Sequence, residues 1–109
     1  MPKSIMLGEF EQLVLLAILG SPDGVSALEI RERLGTLLPR VVSRGAVYKT
    51  LDRVEVKGWV SWKLDDEDVP ERGGYPRRRF RVTPEGVRAL AGSRAVLLEL
   101  WSGLEEVLG

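Results

Sequence analysis

The stretch SRGAVYKTLDRVEVKGWVSWKL, residues 43–64, decides the fold. Its first part has helical spacing. At 100° per residue Val47, Leu51 and Val54 fall in one narrow stripe with Thr50 beside it, while Gly45, Lys49, Asp52 and Arg53 face away and Tyr48 sits on the border. Ser43 is a side-chain cap for the first turn, and Gly58 is a glycine stop. The pattern then changes period. Over 59–64 Val60, Trp62 and Leu64 alternate with Ser61 and Lys63, the signature of a half-buried strand.

Downstream, RRRFRV at 77–82 is a second strand, with Phe80 and Val82 inward and Arg77, Arg79 and Arg81 outward. The stretch between the strands, with Gly73, Gly74 and Pro76, reads as a hairpin loop. Thr83-Pro84 is a cap followed by proline at the first helical position, opening a last helix to near Leu108 with a soft point at Gly92. Upstream, Gly8–Leu19 forms a helix whose buried face is Phe10, Leu13, Val14, Ala17 and Ile18. Leu15, Leu16 and Leu19 add apolar surface on its other sides, so it needs cover from its own domain or from a second subunit. Ser26 and Glu29 have capping-box spacing for a second helix with Ile30 and Leu34 inside and Gly35 as its stop. Three helices, a hairpin and a helix make an α+β, mostly α, winged helix-turn-helix, whose third helix is the one that would enter a major groove.

The totals narrow the function. The chain has 109 residues, no cysteine and no histidine. That removes disulfides, a thiol nucleophile, the usual general base and the usual metal ligand. No paired carboxylates, nucleophile–base set or phosphate-cradling loop is present, so an enzyme is the least favoured reading, with no cofactor or metal expected. The longest apolar run, Leu13 to Leu19, is about a third of a membrane span. Charged Glu9 and Glu11 precede it, so a soluble cytoplasmic protein is expected. Sixteen basic and sixteen acidic residues give zero net charge, but unevenly. Residues 40–81 hold eleven basic and seven acidic side chains, whereas 1–39 hold three and five, and 82–109 hold two and four. The positive charge is local to the third helix and the hairpin, which favours nucleic acid as the partner.

Outward steps along a strand are roughly 6.6 Å, close to the roughly 7 Å between alternate phosphates. Arg77, Arg79 and Arg81 therefore suit a hairpin that rides along a DNA backbone. Arg78 shares parity with Phe80 and is assigned to structure. The competing reading has the arginines only solubilising the hairpin and pairing with the acidic run Asp65, Asp66, Glu67 and Asp68. On the third helix, Ser43, Arg44, Gly45, Tyr48, Lys49 and Arg53 complete the candidate DNA-binding set. Trp59 and Trp62 are expected in the hairpin core.

The segments LGEFEQLVLLAIL (7–19), EIRERL (29–34), SRGAVYKTLDRVEVKGWV (43–60) and ERGGYPRRRFRVTPEG (71–86), with the leucine-rich last helix, resemble the PadR family of bacterial transcriptional regulators. The resemblance spans nearly the whole chain, and the short tail is similar to the subgroup with a single C-terminal helix. It implies a homodimer that represses genes by binding a palindromic operator in double-stranded DNA. Residues 1–83 would be the DNA-binding region and 84–109 the dimerisation helix of one compact domain. The last helix would exchange contacts with the partner's first helix, placing Phe10, Leu13, Leu97, Leu98, Trp101, Leu104 and Leu108 at the interface. The resemblance also puts Tyr48, Arg77 and Arg79 against the DNA backbone. Some relatives hold a flat aromatic effector between tryptophans at the dimer interface, which makes Trp101 the candidate for a small aromatic effector. Many members carry His-Gly-Tyr where this chain has Ser26-Ala27-Leu28, so sensing through that motif does not carry over. The competing functions are a winged helix that docks a protein without DNA, and an RNA-binding winged helix, which lacks an evident aromatic platform.

Overall fold

A computed structural model describes residues 7–65 and 77–109. The hairpin tip at 66–76, with Asp66, Glu67, Asp68 and the Gly73-Gly74 turn, lies outside the described residues. The order is α1 (Glu9–Leu19), α2 (Ala27–Leu37), α3 (Arg44–Val56), β1 (Val60–Leu64), β2 (Arg78–Val82), α4 (Pro84–Trp101) and α5 (Glu105–Leu108). The winged helix-turn-helix is the observed architecture, mostly helical with one two-stranded antiparallel sheet.

Local chemistry sets the helix ends. The Ser26 hydroxyl accepts from the Glu29 amide at 3.2 Å, and Glu29 Oε1 accepts from the Ser26 amide at 2.9 Å, a complete capping box. Ser43 Oγ accepts from the Ala46 amide at 3.1 Å. At the far end of α3, Gly58 has φ +78°, and the Gly58 and Trp59 amides donate to the Glu55 and Val54 carbonyls, each at 2.9 Å. That is a Schellman stop, and it needs the left-handed residue that glycine supplies. Two expectations fail. Helix α2 does not stop at Gly35 but runs on to Leu37, because the restriction comes from Pro39, which forces Leu38 extended. The last helix does not soften at Gly92; it breaks at Ser102–Leu104, where Gly103 takes φ +83°.

The core lies where α1, α2 and α3 meet β2 and the start of α4. Val14, Leu15, Ile18, Ile30, Val47, Leu51, Val54 and Phe80 are all buried. The inner face of α1 is turned from the one read in the sequence: Leu15 is fully buried, while Phe10 and Leu13 are only half-buried against the core. Trp59 is buried as expected, but Trp62 is 37% exposed, so it does not belong to the core. In the sheet Val60 faces Val82, Trp62 faces Phe80, and Leu64 faces Arg78. Only Val60 of β1 is buried, since the hairpin then projects beyond the helices and its apolar face loses its cover. The other edge of β2 is also paired: Val25, just before α2, exchanges backbone hydrogen bonds with Phe80 at 3.2 and 2.8 Å.

Two polar ties hold α1 in place. Glu11, nearly buried, accepts from Lys57 Nζ at 2.8 Å and joins α1 to the end of α3. Burial alone would raise the Glu11 carboxyl, but the hydrogen bonds from Lys57 and the Gly8 amide, with the charges of Lys57 and Arg53, outweigh it and hold it below the ordinary carboxylate value. The buried Ser93 hydroxyl donates to Gln12 Oε1 at 2.6 Å, tying α4 to α1. Beyond Ser93 every residue of α4 and α5 is exposed. The Cα radius of gyration is 15.8 Å, against about 13 Å for a compact chain of this length, consistent with a helix that runs off the body.

Candidate nucleic-acid interface

The capped start of α3 and the hairpin stand side by side, and a groove of about 600 Å³ runs between them. Arg44 and Tyr48 come from the first turns of α3, and the Arg44 guanidinium lies 5.7 Å over the Tyr48 ring. Arg77 and Arg78 come from the hairpin, and the Arg78 guanidinium lies 5.1 Å over Trp62 and 5.9 Å over Phe80. Arg31 of α2 forms a further side; its Nε donates to the Val42 carbonyl at 3.1 Å and so braces the turn that leads into α3. Among the described residues the lining holds four arginines and no acidic residue. None of the four forms an ion pair among the described residues.

The nine candidate DNA-binding residues do not gather on one surface. Arg44, Tyr48 and Arg77 share the groove. Lys49 and Arg53 lie together on a second exposed patch of α3, beside Asp52, Val56 and Lys57. Ser43 and Gly45 are exposed at the start of α3, with the Ser43 hydroxyl engaged as the cap. Arg79 and Arg81 point the other way, toward the turn between α1 and α2. Arg79 pairs with Asp65, Nε to Oδ2 at 3.1 Å, and donates to the Gly24 carbonyl at 3.2 Å. Arg81 donates to the Asp23 carbonyl at 3.2 Å. The alternation of the strand sorts Arg79 and Arg81 from Arg78 as read, but Arg77, just before the strand, shares the groove with Arg78 instead of their row, and Gly24, at φ +91°, brings the turn close enough to take hydrogen bonds from that row.

Arg31 and Arg78 are absent from the set that the sequence suggests. For Arg78 the signal is present: its parity puts it on the face of Phe80 and Trp62. That face is interior only as far as the core reaches, and at Leu64↔Arg78 it is open. For Arg31 no local signal exists, since only the packing of α2 against α3 brings it to the groove.

The geometry is that of a positively charged helix with a hairpin wing beside it, and it meets an independent finding. A model of the transcriptional regulator PadR-like family matches residues 15–92. The chain belongs to that family. Among solved structures it is similar to a PadR family transcription regulator from Clostridium difficile R20291, at 20% identity over 94% of this chain and 100% of that one, TM-score 0.73. It is similar to a PadR family transcriptional regulator from Eggerthella lenta, at 22% identity over 91% and 80%, TM-score 0.70. A PadR-like regulator from Bacillus cereus aligns at 19% identity over 91% and 90%, TM-score 0.72. No curated protein matches in sequence. The PadR-like family is one of transcriptional regulators. No described helix is long and apolar enough to cross a membrane.

The second surface of interest is apolar. Leu98, Leu100, Trp101 and Leu108 are each about half or more exposed along the far part of α4 and α5, with Leu97 and Leu104 beside them. Leu16 and Leu19 of α1 are open as well. Phe10 is covered on one side by the Arg40 guanidinium, 5.8 Å from its ring.

Proposed function

We propose that this PadR-like regulator is a homodimeric repressor of the cytoplasm that binds a palindromic operator in double-stranded DNA. Helix α3 enters the major groove, with Arg44, Tyr48, Lys49 and Arg53 directed at it and Ser43 and Gly45 at the close approach of the helix start. The wing follows the adjacent backbone through Arg77 and, with the donors their own turn contacts leave over, Arg79 and Arg81. The observation that carries the reading is the groove flanked by arginines on α3 and the wing that form no ion pair among the described residues, in a chain of zero net charge. A protein-docking module has no need of that concentration of cations on the face a winged helix turns to DNA.

Residues 84–109 serve as the dimerisation helix and 1–83 as the DNA-reading region. The exposed leucines and Trp101 of α4 and α5 pack on Phe10, Leu13 and their neighbours in α1 of the second copy. A water-exposed apolar stripe of this extent marks an association surface. Two-fold symmetry spaces the half-sites by about one helical turn, roughly 34–36 Å. Trp101, brought near its symmetry mate, is the place for a small aromatic effector. Repression as the sign of regulation rests on the family resemblance.

The test is fluorescence anisotropy with DNA from upstream of the protein's own gene against random DNA, at several salt concentrations. Tight, salt-dependent binding with a preference of about 10³-fold or more supports the operator reading. Absence of binding to either DNA at low salt sinks it and favours the alternative, a winged helix that docks a protein.

A further inference from the structure

Only Val60 of β1 is buried, so the wing stands out from the helices as a cantilever. Polar contacts hold it on both faces of the sheet. On one face Arg79 and Arg81 donate to the Gly24 and Asp23 carbonyls, each at 3.2 Å. On the other, where Trp62 stands across from Phe80, the Trp62 indole Nε1–H donates to Glu55 Oε2 of α3 at 2.9 Å. We infer that Glu55 is a positioning residue for DNA binding: through Trp62 it fixes the wing at the angle to α3 at which Arg77 reaches the backbone. The positioning role rests on the DNA reading above; the strut between Glu55 and Trp62 does not.

An acid at this place is unfavourable for a DNA-binding helix, and that makes its contact informative. At about 100° per residue Glu55 falls in the row between Arg44 and Tyr48, the side of α3 assigned to DNA. A carboxylate there repels phosphates that come within a Debye length, about 8 Å at physiological salt. Among the described residues Glu55 forms no ion pair that would offset the repulsion. Its carboxylate is engaged by the indole instead. The indole N–H is a donor only, and a hydrogen bond to an ionised acceptor is about twice as strong as a neutral one. Gly58 makes the meeting possible. Its left-handed φ of +78° turns the chain back, so that Trp62 returns beside the residue seven places before it. The Arg78 guanidinium lies 5.1 Å over the same indole, and Arg78 adjoins Arg77. The chain Glu55–Trp62–Arg78 thus ends one residue from the wing's phosphate contact. Without Glu55 the half-exposed Trp62 ring loses its anchor on α3, and the wing is free to tilt away from the helix.

The experiment compares Glu55→Gln, which keeps an acceptor, with Glu55→Met, which has the same length and none. Both remove the charge, so the difference between them reports the hydrogen bond and not the electrostatics. Glu55 is exposed and both replacements are good helix formers, so the fold is kept, which thermal unfolding checks. Binding is read by anisotropy over a range of salt, with duplex DNA from upstream of the protein's own gene and with random DNA. Glu55→Gln is expected to bind at least as tightly as the parent chain. Glu55→Met is expected to bind about threefold to tenfold more weakly than Glu55→Gln, with a salt slope lower by about 0.9 for each wing phosphate released. Adding Trp62→Phe to Glu55→Met should weaken binding no further, because both changes remove the same bond. In NMR of the whole chain without DNA, the Trp62 indole N–H resonance, identified by its loss in Trp62→Phe, should move in Glu55→Met and stay near its place in Glu55→Gln. Equal affinity and slope for Glu55→Gln and Glu55→Met overturn the positioning role. A lower Tm for Glu55→Met with an unchanged slope overturns it as well and makes Glu55 a stability residue. An indole resonance that stays in place in Glu55→Met removes the strut. A parent chain that binds neither DNA sinks the DNA reading and the positioning role with it, and the indole resonance still decides the strut.

Discussion

Gly86, in the first turn of α4, gives a test in which two effects have opposite signs. A Cβ built there would lie 2.6 Å from Val82 Cγ1 and would run into the Trp59 carbonyl oxygen, with the Trp59 carbonyl carbon at 3.1 Å. The Val82 methyl can rotate away, but the Trp59 carbonyl cannot. It accepts from the Thr83 amide at 2.9 Å and is fixed by the Schellman stop before it. Helix propensity alone says that Gly86→Ala stabilises by up to about 1 kcal/mol. Overpacking against backbone costs about 1–3 kcal/mol, and because the Trp59 carbonyl cannot give way the upper part of that range applies. The net expectation is a destabilisation of about 1–2 kcal/mol, lowering Tm by roughly 5–15 °C in a domain of this size. Gly92→Ala in the same helix is the control. Gly92 is exposed and has nothing within 4 Å of its added Cβ, so propensity acts alone and Tm rises by a few degrees. Thermal unfolding followed by circular dichroism measures both. If Gly86→Ala matches or exceeds Gly92→Ala in Tm, α4 does not approach Trp59 as closely as described, and its angle to the wing is different.

Further expectations concern charge and assembly. Lys49→Ala and Arg44→Ala should each weaken DNA binding and lower the salt slope by about 0.9 for each phosphate no longer neutralised, read from anisotropy titrations; an unchanged slope means that the side chain does not touch the DNA backbone. Arg79→Ala should lower stability by about 1 kcal/mol, because the hydrogen bonds to Asp65 and Gly24 are removed, with a smaller slope change than Lys49→Ala; an equal slope change with unchanged Tm would make it foremost a DNA-binding residue. Trp101→Glu should give monomers in sedimentation at micromolar protein, and a persisting dimer would move the interface elsewhere. Because the folded Glu11 carboxyl is held below its ordinary value, its stabilising contribution is present above the unfolded value and is lost as pH falls through the folded one. Tm of the parent chain should therefore drop more steeply than that of Glu11→Gln below about pH 5; parallel curves would dismiss the Lys57 tie.

Much of this fold is legible because its determinants are local. The Ser26–Glu29 box, the Ser43 and Thr83 caps, and the Gly58 stop each act within a few residues, and each stands in the structure where the sequence puts it. The misreadings arise where distant packing decides. Leu13 and Leu15 both satisfy an apolar α1, and only the arrangement of α2, α3 and β2 selects Leu15 for the centre. Trp62 alternates correctly with Val60, yet the strand outruns the helices that would cover it. At the candidate interface, strand parity separates Arg79 and Arg81 from Arg78, but parity does not tell which side faces the α1–α2 turn. The hydrogen bonds to Asp23 and Gly24 are made between residues more than fifty positions apart, beyond any sequence window.

Thr83 does two things with one hydroxyl: it caps α4 by accepting from the Gly86 amide at 3.1 Å, and it donates to the Gly58 carbonyl at 2.6 Å. With Gly86 pressed on Trp59, this makes a stiff joint between the end of α3 and the start of α4. From it α4 extends 18 residues, an arm of about 27 Å. A tilt of about 5° at the joint swings the far end by roughly 2 Å. In a dimer clasped through those far ends the relation inverts, and a small slide between the two arms becomes a rotation of both recognition helices. The separation of the half-sites would then be set by a ratio of lengths, with one threonine at the fulcrum.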